Sequence, residues 1–378
     1  MFNMTELLRY DIVGSFLRPE ALKKARAQFE QGTINQAALS KVEDEEIKKL
    51  IAKQVENGLK SITDGEFRRS WWHLDFFWGL NGVEAIKDAG GFEFENVQSR
   101  FETARLNNYI SGENHPFVEH YKFLKAHTPE GIEARQTVPA PARLFSELTR
   151  KENIEATKSF YPTEDELIDA IAKAYQTVIQ DLYNEGLRTI QFDDTTWGRL
   201  VGDQTEINGK NGDAKEKERL KEIFVKANNK AIEGLPEDLT VQTHVCRGNY
   251  RSTWFAEGAY DSVASPLFDR ENVDNYLLEY DTDRSGGFEP LAHVSEGKNV
   301  VLGLITSKDG KLEDRDEVIA RIKEASQYIP LENLALSTQC GFASTEEGNN
   351  LTEEEQWAKI RLVKSIAEEV WKTEKVEG

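Results

Sequence analysis

Cysteine is almost missing from this chain: 378 residues contain two, and methionine is equally scarce at two. Two cysteines cannot build a disulfide framework, so a buried core must hold the fold, as expected of a cytoplasmic protein whose thiols stay reduced. Basic residues are short as well, with 47 Lys and Arg against 67 Asp and Glu and a formal net charge of -20. Such a surface repels nucleic acid and anionic membranes, and neither is an expected partner. Long apolar runs are absent. Met1–Glu20 scatters charges where a signal peptide would carry its apolar core, and no later stretch approaches the roughly 20 apolar residues of a membrane span. Neither a G-x-G-x-x-G turn nor a Walker loop is present, which removes the usual nucleotide cradles. What remains is 39% hydrophobic and 30% charged, a globular composition with length enough for one large core.

The two cysteines stand in comparable places. Thr243–Arg247 reads T-H-V-C-R and closes the apolar run Leu239–Val245. In a strand His244 and Cys246 leave the same face, so an imidazole and a thiol point at one spot. Cys340 likewise ends a strand-like run, Leu334–Thr338, just before Gly341.

Along the chain, strands are expected at Asp11–Phe16, Ser61–Phe67, Ala134–Ala140, Arg188–Asp194, Leu239–Cys246, Tyr276–Asp281, Asn299–Thr306 and Leu334–Cys340. Between them the 3.6-residue period predicts helices over Lys41–Leu59, Thr163–Gly186, a stretch ending at Ile232, Asp314–Tyr328 and Thr352–Lys372. Thr163 with Glu166 has capping-box spacing, and Thr352 suits an N-cap. Arg68–Glu133 is rich in aromatics, carries Gly90-Gly91, and reads as an insertion, a hairpin projecting from the body. Strands alternating with helices predict a (β/α)8 barrel: one domain over residues 1–378, with an insertion after its second strand.

The working face of such a barrel is where its strands end. Ser15, Glu66, Asp193 with Asp194, His244 with Cys246, Glu279 with Asp281, and Cys340 all fall there. His244, Cys246, Cys340 and one carboxylate form a donor set for zinc. Two thiolates and a carboxylate outweigh the ion's two charges. That suits ionising a bound thiol, as in alkyl transfer to sulfur, better than acidifying water.

Taken together, T-H-V-C, Glu279, Q-C-G at Gln339–Gly341, I-V-G-S-F at Ile12–Phe16 and I-Q-F-D-D at Ile190–Asp194 resemble cobalamin-independent methionine synthase, and more closely its shorter single-barrel members. The resemblance runs from about Asp11 to the final helix. It implies a zinc-dependent barrel that methylates homocysteine. The donor it implies is 5-methyltetrahydrofolate, polyglutamylated or not; a methylated sulfonium and a corrinoid-bound methyl remain open. His244, Cys246, Glu279 and Cys340 match the metal ligands, with Asp281 a rival for the carboxylate. Ser15, Glu66 and Asp193 match the positions that bind the amino-acid end of homocysteine, and Asp193 is also the candidate catalytic residue. The long enzymes carry a histidine in the loop after the seventh strand; here Thr306, Ser307 and Lys308 occupy it.

Other readings stay beside this one. A zinc hydrolase would prefer ligands richer in histidine or carboxylate, and a purely structural zinc would prefer closely spaced ligand pairs. Glu66 and Asp193 could be ion-paired with arginines such as Arg68. Trp71, Trp72, Trp197 and Trp254 could stack on a flat donor or simply pack. His73, His115, His120, His127 and His293 are expected at surface or loop positions, and Glu43–Glu46 on a solvated helix face.

Overall fold

The computed structural model describes residues 7–371, apart from 88, 90, 92, 95–96, 202–205, 208–209 and 212. Its strands, in chain order, are β1 (Tyr10–Asp11), β2 (Ser61–Ile62), β3 (Asn81–Lys87), β4 (Glu102–Ser111), β5 (Glu133–Ala134), β6 (Gln136–Pro139), β7 (Thr189–Asp194), β8 (Thr240–Val245), β9 (Asn275–Glu279), β10 (Asn299–Ile305) and β11 (Leu334–Thr338). Two further two-residue pairs lie within loops.

Seven strands form one curled parallel sheet in the order β1-β11-β10-β9-β8-β7-β6. β5 precedes β6 by the single residue Arg135 and pairs in parallel with β2, Ser61 opposite Glu133 and Ile62 opposite Ala134. β5 and β6 are thus one stave, and the eight staves expected from the sequence are all present. Among the described residues no ladder joins β1 to β2. Arg135 bridges that seam instead, donating to Asp11 Oδ2 and to the Ile12 carbonyl, and Thr63 Oγ1 donates to the Gly14 carbonyl.

Strand periodicity sorts the side chains into two layers. Tyr276, Leu278, Val300, Leu302, Leu334 and Leu336 join the large core under the helices. Leu277, Val301, Ala335 and Val13 form a small cluster of their own, the apolar plug of the lumen. Glu279 shares the face of Leu277 and so points into the barrel. Gln242 lies on the face of His244; its Nε2 donates to Gln191 Oε1 at 2.9 Å, making a polar layer below the site.

Helices fill the crossovers. Glu164–Asn184 begins with the expected capping box between Thr163 and Glu166, and Glu353–Val370 begins with the same device at Thr352 and Glu355. The helix Gln36–Glu56 starts earlier than its apolar period suggests, because Asn35 caps it through Ala38 N. Between β2 and β5 run the short helix Leu74–Gly79, an antiparallel hairpin of β3 with β4, and the helix Pro116–His127. Gly90 and Asn96, named for that stretch, and Lys372, the expected end of the last helix, lie outside the described residues.

Several expectations are corrected. The first two strands are much shorter than Asp11–Phe16 and Ser61–Phe67. Asp64 Oδ1 accepts from Glu66 N at 2.9 Å, a local turn that takes the chain out of the ladder with Gly65 and Glu66 at φ 69° and 61°. Pro19, which suits the start of a helix, stands at the N-cap of Glu20–Glu30, whereas the helices Pro141–Leu148 and Ile154–Phe160 have no counterpart in the sequence reading. Pro141, just past the third expected strand, sits in the first turn of its helix, where its missing N–H costs nothing. His73 and His115 are buried rather than superficial. His115 caps its helix by accepting from Phe117 N, while Nε2 donates to the Phe76 carbonyl at 2.9 Å. Glu43 and Glu46 are buried too: Glu43 faces Arg26 and Arg68, and Glu46 pairs with Lys49.

Candidate active site

The C-terminal ends of the staves surround one cleft. Its walls include Ser15, Glu66, Asp193, His244, Cys246 and Cys340, with about 810 Å³ of free space counted to the open mouth. Three strands deliver a compact donor group. One ligand atom from each of His244, Cys246, Glu279 and Cys340 can be chosen so that all four lie within 4.8 Å of one another, and all four residues are buried. Asp281 is outside this group; Arg284 takes its Oδ1 at 2.8 Å.

Each member is held by the fold. β8 pairs with both β7 and β9, setting His244 opposite Asp193 on one side and Leu277 on the other. The ring Nδ1 donates to the Leu277 carbonyl at 3.3 Å, so Nε2 is the nitrogen that can bind an ion once its proton is displaced. That Nε2 has no hydrogen-bond partner although it is buried. The two sulfurs stand 3.8 Å apart. Glu279 Oε1 accepts from Arg247 N at 2.7 Å and Oε2 from Arg284 Nη2 at 2.8 Å. The glycine of Q-C-G is needed for contact: a Cβ on Gly341 would stand 1.9 Å from Ser15 Oγ.

The electrostatics ask for a cation. The hydrogen bond from Cys246 lowers the Cys340 thiol to about 5 against the effect of burial, with His244 assisting. The same bond, with burial, pushes Cys246 up. Burial would lower His244, but the Cys340 thiolate outweighs it and raises the imidazole to about 9. An orphaned imidazole nitrogen, two adjacent sulfurs and a carboxylate are a donor set that fits zinc.

A second polar group lines the same cleft. Burial and the neighbouring Glu66 carboxylate push Asp193 up to about 7. Gln191 Nε2 donates to its Oδ1 at 2.8 Å. Burial also raises Glu66, although Arg69 and Arg18 oppose it. The ion partner of Glu66 is Arg69, at 3.3 Å, not Arg68, which serves Glu43 and Asp44. Thr137 donates to Glu66 Oε1 at 2.9 Å, while Oε2 is buried without a partner. Two crowded carboxyls, one with an unpartnered buried oxygen, have the acceptor chemistry that suits a cation. Ser15 Oγ accepts from Ala343 N at 3.2 Å beside them.

Of the four tryptophans considered for stacking, Trp71 and Trp72 line the cleft. Trp197 does not; it is fully buried, donating to Glu271 Oε1 and packed edge-on against Phe224. Trp254 also stands off the cleft, under Arg284. Sequence reasoning missed His73, Arg143, Arg199, Tyr250 and Phe255, which also line the walls. Arg143 follows the third stave, so the strand-end rule that found Asp193 could have found it.

A family model described as the catalytic domain of cobalamin-independent synthase matches residues 156–369. The uncharacterized protein YxjG of Bacillus subtilis is 45% identical over 96% of this chain and 95% of its own length. The methionine synthase of Saccharolobus solfataricus is 22% identical over 89% and 88%. Among solved structures, a candidate vitamin-B12 independent methionine synthase from Listeria monocytogenes superposes with a TM-score of 0.73 at 35% identity, covering 97% of this chain and 98% of that one.

Proposed function

The chain belongs to the cobalamin-independent methionine synthase family and is a methyltransferase of its short, catalytic-domain kind; from that premise we propose that it transfers a methyl group to the thiol of homocysteine, giving methionine. The observation that carries this reading is the four-ligand cluster, whose His244, Cys246 and Cys340 open on the cleft that also holds Glu66 and Asp193. Zinc held by His244, Cys246, Glu279 and Cys340 would keep the acceptor sulfur as thiolate at a pH where a free thiol of pKa about 8.5 is mostly protonated.

The chain's own residues supply the rest. Glu66 and Asp193 take the ammonium of homocysteine, using the orphaned Glu66 oxygen. Ser15, with nearby backbone N–H groups, takes its carboxylate. So anchored at both ends, the acceptor presents its sulfur to the cysteine side of the cleft. The sulfur's lone pair forms the new S–C bond, while the bond between methyl and donor breaks and its electron pair leaves with the donor. Asp193 is the candidate catalytic residue: burial and Glu66 push its carboxyl up to about 7 in the free protein, and the arriving ammonium favours the carboxylate that holds it. The proposed donor is 5-methyltetrahydrofolate, with or without a polyglutamate tail, and Trp71 and Trp72 offer faces for a flat ring.

A zinc that merely stapled the barrel would have no use for ligands facing an open cleft, and a hydrolytic zinc would have little for two thiolates. We read residues 1–378 as one barrel unit, with 68–133 as an excursion from it, acting in the reducing cytoplasm. No helix among the described residues is long and apolar enough to cross a membrane. The test is a donor screen: zinc-loaded chain with homocysteine and, in separate arms, methyltetrahydrofolate, its polyglutamate, a methylated sulfonium and methylcobalamin. Methionine formed from one arm and abolished by zinc removal supports the reading. No methionine from any arm sinks it.

A further inference from the structure

β10 lies beside β9 with Gly303 in register with Glu279, so the chain leaving β10 passes next to that carboxylate. It is pinned there from two sides. Ser307 Oγ donates to the Gly341 carbonyl at 2.9 Å, and Ser307 N donates to Gln339 Oε1 at 2.7 Å, both in the segment around Cys340. From the loop that follows Cys246, Ser252 Oγ donates to the Lys308 carbonyl at 2.5 Å. The backbone of Lys308 is therefore clamped between the two cysteine loops. The end of its side chain is not clamped at all. Lys308 is 7% exposed, and its buried Nζ makes no hydrogen bond. Among the described residues no carboxylate lies within ion-pair distance of it. Burying an ammonium without an acceptor is costly, so its retention asks for a use.

The charge balance of the neighbouring cluster offers one. Two thiolates and a carboxylate exceed a divalent ion by one negative charge, and an incoming thiolate makes the excess two. We propose that Lys308 is a positioning residue for the methyl acceptor: its buried ammonium, on a backbone clamped between the two cysteine loops, offsets the negative charge that accumulates when a substrate thiolate joins the two cysteine sulfurs. Although burial would raise it, the Glu279 carboxyl is held below its ordinary value by the charges of Lys308 and Arg284, in keeping with a cation on this side of the cluster. The inference rests on the zinc–thiol reading above.

Two affinities separate this role from plain structural support. Removing a cation leaves the binding of a divalent metal unchanged or strengthens it, yet weakens the binding of an anionic thiolate. Loss of packing weakens both. Wild type, K308M, K308Q and K308R, each stripped and refilled with zinc, are compared by chelator competition for zinc and by calorimetry for homocysteine, alongside kcat and KM. The expected result for K308M and K308Q is zinc held as tightly as in wild type or tighter, with homocysteine bound about tenfold more weakly. K308R restores most of the loss. Zinc and homocysteine weakening together in both neutral variants overturns the proposal, as does homocysteine affinity unchanged in both. If wild type binds zinc and homocysteine and the neutral variants match it, only the role of Lys308 falls. If wild type itself binds neither, the zinc–thiol reading falls, and this inference with it.

Discussion

Glu147→Gln probes how the fold supports the wall of the cleft opposite chemistry of its own kind, a buried charge cluster. Glu147 is fully buried, and Arg143 Nη2 and Arg150 Nη1 stand 2.7 and 3.3 Å from its two oxygens. Thr103 Oγ1 donates to Oε1 as well. Burial alone would raise this carboxyl, but the two guanidiniums outweigh it and hold it at about 2 instead of 4.5. At about 1.4 kcal/mol per pH unit, that gap corresponds to about 3 kcal/mol of stability. The sign follows from the lowered value: the contribution is complete above about pH 4.5 and is lost as pH falls through about 2. E147Q should therefore be about 3 kcal/mol less stable than wild type at pH 7. For a chain of 378 residues with an unfolding entropy of about 2.1 cal/mol/K per residue, that lowers Tm by about 4 °C. Urea unfolding of both proteins at pH 7 and pH 3 is the assay, and the difference should shrink by roughly half at pH 3. A loss below about 1 kcal/mol at pH 7, or one undiminished at pH 3, would refute the reasoning. Arg143 also donates to His73 Nε2 at 3.2 Å in the cleft wall, so the variant should bind substrates less well too.

Other outcomes follow from the same geometry. C246S should weaken zinc binding by more than about 100-fold, since even groups outside the ligand sphere matter on the scale of 10- to 100-fold; metal content after dialysis reads this out, and full retention of zinc would contradict it. E66Q and D193N should each raise KM for homocysteine by about 10- to 100-fold through loss of a charge-assisted hydrogen bond, with zinc content unchanged. A normal KM in both would remove the ammonium receptor. G341A should depress activity and homocysteine affinity together, because the new methyl would displace Ser15 Oγ; wild-type kinetics in that variant would show that Ser15 is not needed where it stands.

The strand ends were legible because each pairs a local signal with a global rule. His244 and Cys246 share a face by strand period alone, and the (β/α)8 topology then brings Cys340 to Cys246 from 94 residues away. Strand period could not choose between Glu279 and Asp281, which are two residues apart; the resemblance favoured Glu279, and in the structure Asp281 falls beyond the ladder, paired with Arg284. What escaped notice was set by tertiary contacts. Glu43 looks like one acid of a solvated run, and only the approach of Arg26 and Arg68 turns it inward. His115 has no metal-like spacing, yet it is buried because it caps a helix. Pro141 reads as a breaker in isolation and as a helix start once the chain turns over the third stave. Lys308 was noticed only as one of three residues in the loop after the seventh strand; its interest comes from an ammonium buried without an acceptor.

Zinc-edge X-ray absorption on the zinc-loaded chain, before and after addition of homocysteine, addresses the site itself most directly. The prediction is two sulfur neighbours from Cys246 and Cys340 in the free protein and a third when homocysteine is added. Fewer than two sulfurs at the start, or a sulfur count that homocysteine leaves unchanged, would contradict it.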